Sequence, residues 1–287
     1  MTLAHEVPGA GGDLGLAYDI PSLEGSWALI LGASSGFGEA VSIALAKQAG
    51  MDIFGVHLDR RATMDNVDRI KAEIESAGRK AVFFNINAAD EHKRAEVIRA
   101  IQEETVTAEP GKKVRVLLHS LAFGTLKPYI SDNPEDAINR TNMDMTIDVM
   151  GSSLVWWVQD LMRNGLFEKG GRIYGMTSAG DERMWPAYGA VSAAKCALNS
   201  HIRQLAFELA PYAITANSIR AGVTDTPALR KIPGSQHMIE YATMKNPHKR
   251  LTTPDDVAQA VCALAQPETQ WMTGNIIGVD GGEFVVD

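Results

Sequence analysis

The stretch WALILGASSGFG, from Trp27 to Gly38, decides the fold. It begins with a short apolar run typical of a buried strand and ends in a turn that contains Gly32, Gly36 and Gly38. The next segment, EAVSIALAKQAG, has helical periodicity and ends at Gly50, and a second apolar run, DIFGVH, follows it. This order of strand, glycine turn, helix and strand predicts a βαβ unit.

The same alternation continues to the end of the chain. Further strands are predicted at AVFFNI, VRVLLHS, RIYGMTS, ITANSI and NIIGVDGG. Seven strands of nearly continuous apolar character, alternating with helices, predict an α/β fold with a doubly wound, parallel seven-stranded sheet in a single domain. Five more helices are predicted after the first. They end before Gly78, begin at Asp90, run from Pro134 to Arg163, run from Tyr188 to Ala210, and begin at Pro254 with Thr253 as the N-cap.

Two segments depart from this pattern. Residues 1–24 are glycine-rich and loosely patterned, so we expect an N-terminal extension before a domain that spans residues 25–287. The segment Thr224–Arg250 contains three prolines and interrupts the alternation just after the sixth strand. Its position predicts a lid over a ligand.

Composition excludes several classes of function. The net charge is −8 and the basic residues are scattered, so neither nucleic acid nor a membrane surface is an expected partner. The sequence has no export signal and no apolar run of about 18 residues, which would be a membrane span. Cys196 and Cys262 lack metal-ligand spacing. We therefore expect a cytoplasmic protein with reduced thiols, no metal, and a small-molecule partner.

The glycine turn predicts a dinucleotide site. After a strand and before a helix, such a turn places main-chain N–H groups and a helix N-terminus against a pyrophosphate. Glycine is needed where a side chain would block that approach. The cofactor contacts predicted in the turn are Gly32, Ser34, Ser35, Gly36, Phe37 and Gly38.

The end of the second strand, HLDRR, bears on the choice of cofactor. Asp59 favours NADH, because a carboxylate can accept from both ribose hydroxyls. Arg60 and Arg61 favour NADPH, because a guanidinium can pair with the 2′-phosphate in a bidentate manner. We expect NADPH, with NADH as the alternative.

Tyr188 and Lys195 are the candidate catalytic pair. Seven residues on a helix span about 700° and about 10 Å, so the two side chains share one face. An ammonium near a phenol lowers the pKa of the phenol, and it can also hold a ribose hydroxyl in a proton relay. Both roles suit hydride transfer coupled to proton donation.

Residues 25–285 resemble the short-chain dehydrogenase/reductase family, which has a Rossmann-type fold. The resemblance rests on GASSGFG, on Ser178, on the helix with Tyr188 and Lys195, on NSIRAGVTDTP and on VDGG. Most members place the tyrosine four residues before the lysine, where this chain has Val191. The resemblance implies Ser178 as a third catalytic residue and further cofactor contacts at Asn87, Ser120, Leu121, Ala122, Lys195, Gly222, Thr224 and Thr226.

Several of these positions have a second interpretation. Asn87 matches a position that contacts adenine, but it could also be a simple turn residue, and Thr226 could be a helix N-cap before Pro227. Phe123, Met184 and Trp185 either line an acyl channel or pack in the core.

The spacing of seven resembles a narrower branch, the enoyl-acyl-carrier-protein reductases of fatty-acid synthesis. His119 and Ser120 at the end of the fourth strand, and Asp148, agree with this branch. Ser178 and the glycine turn instead resemble ordinary members of the wider family, since many enoyl reductases have a tyrosine at position 178. This mixture resembles a less common subgroup of enoyl reductases that uses NADPH. The resemblance implies a homotetramer, with an enoyl group on acyl carrier protein or on coenzyme A as substrate.

The chemistry of enoyl reduction gives a reason for the displaced tyrosine. Hydride goes to the β-carbon while negative charge develops on the thioester oxygen, so the stabilising donor must stand farther from the hydride than in ketone reduction. Three residues shift the tyrosine by about 4.5 Å. The alternatives are a 3-oxoacyl or other carbonyl reductase that uses Ser178 and Tyr188, and a non-catalytic NADP-binding protein.

Overall fold

The computed structural model describes residue 20 and residues 22–108 and 111–286. Almost all of the expected N-terminal extension, residues 1–24, lies outside these residues. Seven parallel strands form one sheet in the order β3-β2-β1-β4-β5-β6-β7. The strands are β1 (Trp27–Leu31), β2 (Asp52–His57), β3 (Ala81–Asn85), β4 (Val114–His119), β5 (Phe167–Ser178), β6 (Thr215–Ala221) and β7 (Ile276–Val279). The predicted doubly wound, single-domain α/β fold is confirmed.

Helices cover both faces of the sheet. They are α1 (Gly36–Ala49), α2 (Met64–Ser76), α3 (Glu91–Gln102), α4 (Arg140–Ile147), α5 (Ser153–Arg163), α6 (Gly189–Glu208), α7 (Ser235–Lys245) and α8 (Pro254–Leu264). The apolar faces of α1, α2 and α8 pack on one side of the sheet. Those of α3, α5 and α6 pack on the other. With both faces covered, β1, β2 and β4 are buried at every position, which explains their nearly continuous apolar sequence.

Capping residues define two helix starts as predicted. Asp90 accepts a hydrogen bond from the main-chain N–H of Lys93 and begins α3. Thr253 and Asp256 form a reciprocal capping box before Pro254. Within the described part of the chain, no helix is long and apolar enough to cross a membrane.

The helix predicted from Pro134 to Arg163 begins later than expected and is interrupted. Asn139 is the N-cap, and its side chain accepts from the N–H of Asn142 at 2.8 Å, so α4 starts at Arg140. A π-helical turn at Asp148–Ser152 then separates α4 from α5. Gly151 in that turn packs against α6, where a Cβ would lie 3.0 Å from the carbonyl oxygen of Ala194. The interruption therefore allows close packing on the helix that carries the candidate catalytic pair.

Candidate active site

The glycine turn lies at the carboxyl ends of β1 and β4, where the strand order reverses. Gly32 has a φ of +93°, and a Cβ there would overlap the carbonyl oxygen of Ser120. A Cβ on Gly38 would overlap the carbonyl oxygen of Gly32. The turn thus closes on itself and on the end of β4 at positions where no other residue fits. Doubly wound sheets bind ligands at this kind of switch point.

The N-terminus of α1 is open to an anion. Ser35 is the N-cap with extended backbone, and its side chain makes no capping hydrogen bond. Asn66 on α2 donates to the carbonyl oxygen of Ser34 at 2.8 Å and so fixes the turn from behind. Uncapped N–H groups at a helix start attract a phosphate. The residues therefore fit a dinucleotide pyrophosphate, and Asn66 is a supporting residue that sequence reasoning missed.

The Asp59 carboxylate at the end of β2 is held by its own neighbours. It accepts from Thr63 Oγ1 at 2.7 Å and pairs with His57 Nδ1 at 3.0 Å. Burial alone would raise the pKa of Asp59, but hydrogen bonds from Ser34, Thr63 and His57 outweigh burial, and the net pKa is below the usual value. Arg60 and Arg61 are exposed, and neither forms an ion pair with any residue that the structure describes. The two guanidinium groups are therefore available to a ligand.

Asn85 is the last residue of β3, and Asn87 lies in the loop that follows it. Asn85 Oδ1 accepts from the N–H of Asp59 at 3.0 Å, a link between β2 and β3 that the sequence did not reveal. Asn87 Oδ1 accepts from the N–H of Ala89 at 3.1 Å, so this residue does stabilise a turn. It is also exposed at the same edge of the sheet. Its contact with adenine stays a prediction.

Ser178 and Tyr188 come together from different elements. Ser178 ends β5 and Tyr188 is the N-cap of α6, and their hydroxyl oxygens lie 3.5 Å apart. The N–H of Gly180 donates to Ser178 Oγ at 3.3 Å. Burial raises the pKa of Tyr188, the contact with Ser178 lowers it, and the net direction is upward. Tyr188 therefore keeps its proton and is a hydrogen-bond donor at neutral pH.

Lys195 is buried deeper in α6. Its Nζ donates to the carbonyl oxygen of Met176 at 2.7 Å and to that of Leu121 at 3.5 Å. Burial lowers the pKa of Lys195 to about 8. The expectation that this lysine lowers the pKa of Tyr188 is wrong for this structure, because the ammonium points toward strand-end carbonyls. The other expected role, holding a ribose hydroxyl beside the tyrosine, stays a prediction.

His119 lies under the site and is fully buried. Ser153 Oγ donates to the carbonyl oxygen of Val149, so the 2.9 Å contact between His119 Nε2 and Ser153 Oγ is a donation from the imidazole. Burial, together with the nearby charge of Lys195, lowers the pKa of His119 to about 3. A histidine that stays neutral supports the end of β4 and does not exchange protons near neutral pH.

A cavity of about 390 Å³ opens in front of Tyr188. Its walls come from the glycine turn, the loop after β4, the end of β5, the start of α6, and the segment after β6. Of the predicted site residues, those that line it are Phe37, Ala122, Ser178, Tyr188, Gly222, Thr224 and Thr226. Val191, four residues before Lys195, lines it as well. The remaining predicted cofactor residues lie in the glycine turn and after β2, β3 and β4, except for Lys195, which lies within α6.

The segment Thr224–Arg250 forms the outer wall. Leu229, Met238 and Tyr241 from this segment line the cavity. Trp185 and Met184 also line it, whereas Phe123 is exposed and lies outside it. The Trp185 indole N–H donates to the carbonyl oxygen of Pro233 at 3.0 Å and so ties the loop before Tyr188 to this segment.

Thr226 contributes to both the turn and the cavity. Its Oγ1 accepts from the N–H of Leu229 at 3.2 Å and so stabilises the turn before a short 3₁₀ helix, whose N-cap is Ala228 and not Thr226. A Cβ built on Gly36 would lie 3.4 Å from Thr226 Cγ2. Thr226 therefore joins the segment after β6 to the glycine turn. Its contact with a cofactor stays a prediction.

Known proteins share this sequence pattern and this fold. Residues 32–283 match the family described as enoyl-(acyl carrier protein) reductase. The chain is 26% identical over 260 residues to 1-cyclohexenylcarbonyl-CoA reductase of Streptomyces collinus, covering 90% of this chain and 86% of that protein. It is 26% identical over 262 residues to 3-oxoacyl-[acyl-carrier-protein] reductase FabG of Thermotoga maritima, covering 91% and 98%.

The fold has close structural counterparts. The crystal structure of enoyl-[acyl-carrier-protein] reductase (NADH) from Aquifex aeolicus VF5 matches with a TM-score of 0.78 at 22% identity, covering 92% of this chain and 98% of that one. Because the family match extends over most of the chain, the chain belongs to the short-chain dehydrogenase/reductase oxidoreductases, in the family described as enoyl-(acyl carrier protein) reductase.

Proposed function

We propose that this protein is an NADPH-dependent enoyl-thioester reductase that saturates the trans-2 double bond of an acyl chain carried by acyl carrier protein in fatty-acid synthesis. The observation that carries the proposal is the placement of Tyr188. Its hydroxyl lines the cavity at the very start of α6, and the position four residues before Lys195 is the buried, apolar Val191. The phenolic donor thus stands one turn farther out than a tyrosine at position 191 would.

The residues present divide the chemistry between them. The nicotinamide cofactor, when bound, supplies the hydride that adds to the β-carbon of the substrate. Negative charge then develops on the thioester oxygen, two carbons away, and the resulting enolate takes a proton from water at the α-carbon to give the saturated acyl group. Tyr188 keeps its proton because burial raises its pKa, so it donates a hydrogen bond to that oxygen. Lys195, held by Met176, would fix the nicotinamide ribose.

NADPH is the proposed cofactor because of the charges at the end of β2. The Asp59 carboxylate is already hydrogen-bonded to His57 and Thr63, which reduces its capacity to accept from a ribose. Arg60 and Arg61 are exposed and can pair with a 2′-phosphate. The glycine turn and the start of α1 would hold the pyrophosphate.

A specific observation favours a second function, carbonyl reduction. The contact of 3.5 Å between Ser178 Oγ and Tyr188 Oη suits a pair of donors that share one carbonyl oxygen. The relatives also divide between the two reactions, since one is a reductase of cyclohexenylcarbonyl-CoA and the other reduces 3-oxoacyl groups, as their names state. The apolar wall near Met184, Met238 and Tyr241 would suit an acyl chain in either case.

Three further features belong to the proposal. Thr224–Arg250 would act as the lid over the acyl chain, since it closes the outer side of the cavity. We propose a homotetramer in the cytoplasm, with coenzyme A thioesters as alternative substrates. The homotetramer and the thioester substrates follow from the family resemblance, whereas the lid follows from the position of its segment after β6.

The test is the oxidation of NADPH, and in parallel NADH, with a trans-2-enoyl thioester and with a 3-oxoacyl thioester. We expect turnover with the enoyl substrate, a saturated acyl product, and a loss of about 100-fold or more in kcat for Tyr188→Phe. Turnover with only the 3-oxoacyl substrate would establish carbonyl reduction instead. Cofactor binding without turnover on either substrate would support a non-catalytic NADP-binding protein.

A further inference from the structure

The C-terminal segment of the chain lies against the cavity. We call Asp280–Val286 the C-terminal clasp. Within it, Glu283 is only 7% exposed and lines the cavity together with Gly222 and Val223. Its carboxylate oxygens lie 3.0 and 3.3 Å from the main-chain nitrogen of Val223, which donates to them. Burying a carboxylate costs free energy of folding unless hydrogen bonds or an ion pair compensate for its lost hydration.

The Glu283 carboxylate is hydrogen-bonded to the main chain, and no cationic side chain among the described residues pairs with it. Burial raises the pKa of this carboxyl, and Asp280 raises it further, while the Val223 N–H, Lys245 and Arg183 oppose that change. The structure gives Glu283 no ion pair among the described residues. In the part of the chain that the structure describes, the Val223 N–H is the one hydrogen-bond partner of the Glu283 carboxylate.

The main chain at Gly222 is packed too closely against its neighbours to admit a side chain. A Cβ on Gly222 would lie 2.9 Å from Glu283 Oε2 and would overlap Thr252 Oγ1. The main chain at Gly222 and Val223 therefore rests directly on the Glu283 carboxylate. The next residues, Thr224 and Thr226, line the cavity and reach toward the glycine turn.

The rest of the clasp holds two other walls of the cavity. Arg183, from the loop before Tyr188, donates to the carbonyl oxygen of Phe284 at 2.5 Å, and its guanidinium lies 4.7 Å from the Phe284 ring centroid. Lys245, at the end of α7, donates to the carbonyl oxygen of Val286 at 3.3 Å. The clasp thus contacts the loop before Tyr188, the segment after β6, and α7.

We propose that Glu283 is a positioning residue for the cofactor end of the cavity, which holds the main chain of Gly222–Thr226 through the Val223 N–H. The inference rests on the proposed function in one respect, the binding of a nicotinamide cofactor. Without the Glu283 acceptor, the half-buried Val223 N–H loses its partner and the segment can leave the cavity wall. Cofactor affinity then falls although no group that contacts the cofactor has been removed.

The experiment is a fluorescence titration of NADPH onto the full chain in the absence of substrate. Glu283→Gln keeps an oxygen acceptor at the same reach, Glu283→Asp withdraws the carboxylate by one methylene, and Glu283→Ala removes it. Val285→Ala, at a side chain that is 83% exposed, is the matched control within the clasp. Thermal unfolding of each variant reports whether it is folded.

We expect the dissociation constant for NADPH to rise by about fivefold or more for Asp and Ala, the equivalent of one hydrogen bond. Gln and the Val285 control are expected to stay within about twofold of the wild type, since both keep the acceptor. If Ala does not fold, the contrast between Gln and Asp carries the test. Wild-type affinity in Asp and Ala, or a loss in Gln equal to that in Asp, would overturn the inference. A wild type that binds neither NADPH nor NADH would overturn the proposed function itself.

Discussion

The hydroxyl oxygens of Ser178 and Tyr188 lie 3.5 Å apart, at the long limit of a hydrogen bond, although ten residues of chain separate them. The strand that ends at Ser178 and the helix that begins after Tyr188 bring the two groups to one wall of the cavity. The two candidate reactions use this pair differently. In enoyl reduction Tyr188 alone meets the thioester oxygen, whereas in carbonyl reduction both hydroxyls can meet the substrate oxygen.

Ser178→Ala separates these two uses. For enoyl reduction we expect kcat to fall by less than about tenfold, because a long hydrogen bond to Tyr188 contributes only about 1 kcal/mol. A direct donor to the substrate oxygen would cost about 100-fold or more on removal. The measurement is kcat for the enoyl and the 3-oxoacyl thioester with this variant. Ser178→Thr, which keeps the hydroxyl, is the control. A loss as large as that of Tyr188→Phe would assign Ser178 a direct role.

The buried ammonium of Lys195 predicts a pH dependence of cofactor binding. Its pKa is lowered to about 8. The ammonium has three N–H donors, and two of them serve the carbonyl oxygens of Met176 and Leu121, so only the protonated form keeps a third donor for a ribose hydroxyl. The proton is bound below this pKa and lost above it. NADPH affinity should therefore weaken as pH rises through about 8, and the measurement is a binding titration at several pH values.

One variant and one control test whether Lys195 causes this pH dependence. Lys195→Met should bind NADPH weakly and without dependence on pH between about 7 and 9. Lys169→Met removes an exposed lysine near the opposite end of β5 and should leave the profile intact. A wild-type profile that is flat across this range would contradict the assignment.

Arg60 and Arg61 should distinguish the two cofactors. Replacing either with Ala is expected to raise the KM for NADPH by about tenfold, the effect of losing a hydrogen bond to a charged group, because only NADPH carries the 2′-phosphate. The KM for NADH should hardly change. Arg99→Ala, at an exposed arginine on α3, is the control. An equal change for both cofactors would show that these arginines do not contact the 2′-phosphate.

Local signals were sufficient to predict most of the fold. The strands β1, β2 and β4 are apolar throughout because both faces of the sheet are covered, and Asp90 and Thr253 mark helix starts through their own side chains. The beginning of α4 was missed because Asn139, and not Pro134, supplies the cap. A proline can begin a helix, but an earlier turn at Asn133, whose side chain bonds to Asp136, ends before the helix starts.

The parts of the candidate site that depend on the spacing of residues within one helix could be predicted from the sequence. The parts that depend on contacts between residues far apart in the sequence could not. Tyr188 and Lys195 lie on one helix, so their shared face follows from seven residues. The direction of the Lys195 ammonium depends on Met176, on another element. Glu283 meets Val223 across 60 residues of chain, and Asn66 reaches Ser34 from a different helix. No periodicity in the sequence carries such information, because both contacts depend on how the elements pack.

The glycine turn predicts a loss of binding that can be separated from a loss of stability. In Gly38→Ala, the new Cβ would overlap the carbonyl oxygen of Gly32, so the main chain of the turn must move. We expect NADPH affinity to fall by more than about tenfold, because the N–H groups at the start of α1 leave their positions.

Gly78→Ala is the control for this prediction. Gly78 has a positive φ of +73°, which Gly38 does not have, but no atom lies within 4 Å of a Cβ built at Gly78. This variant should lose about 1 kcal/mol of stability from backbone strain and keep wild-type affinity for NADPH. The two variants are compared by thermal unfolding and by NADPH titration at a temperature where both are folded. Wild-type affinity in Gly38→Ala would show that the pyrophosphate does not depend on this turn, since a displaced main chain cannot present the same N–H groups.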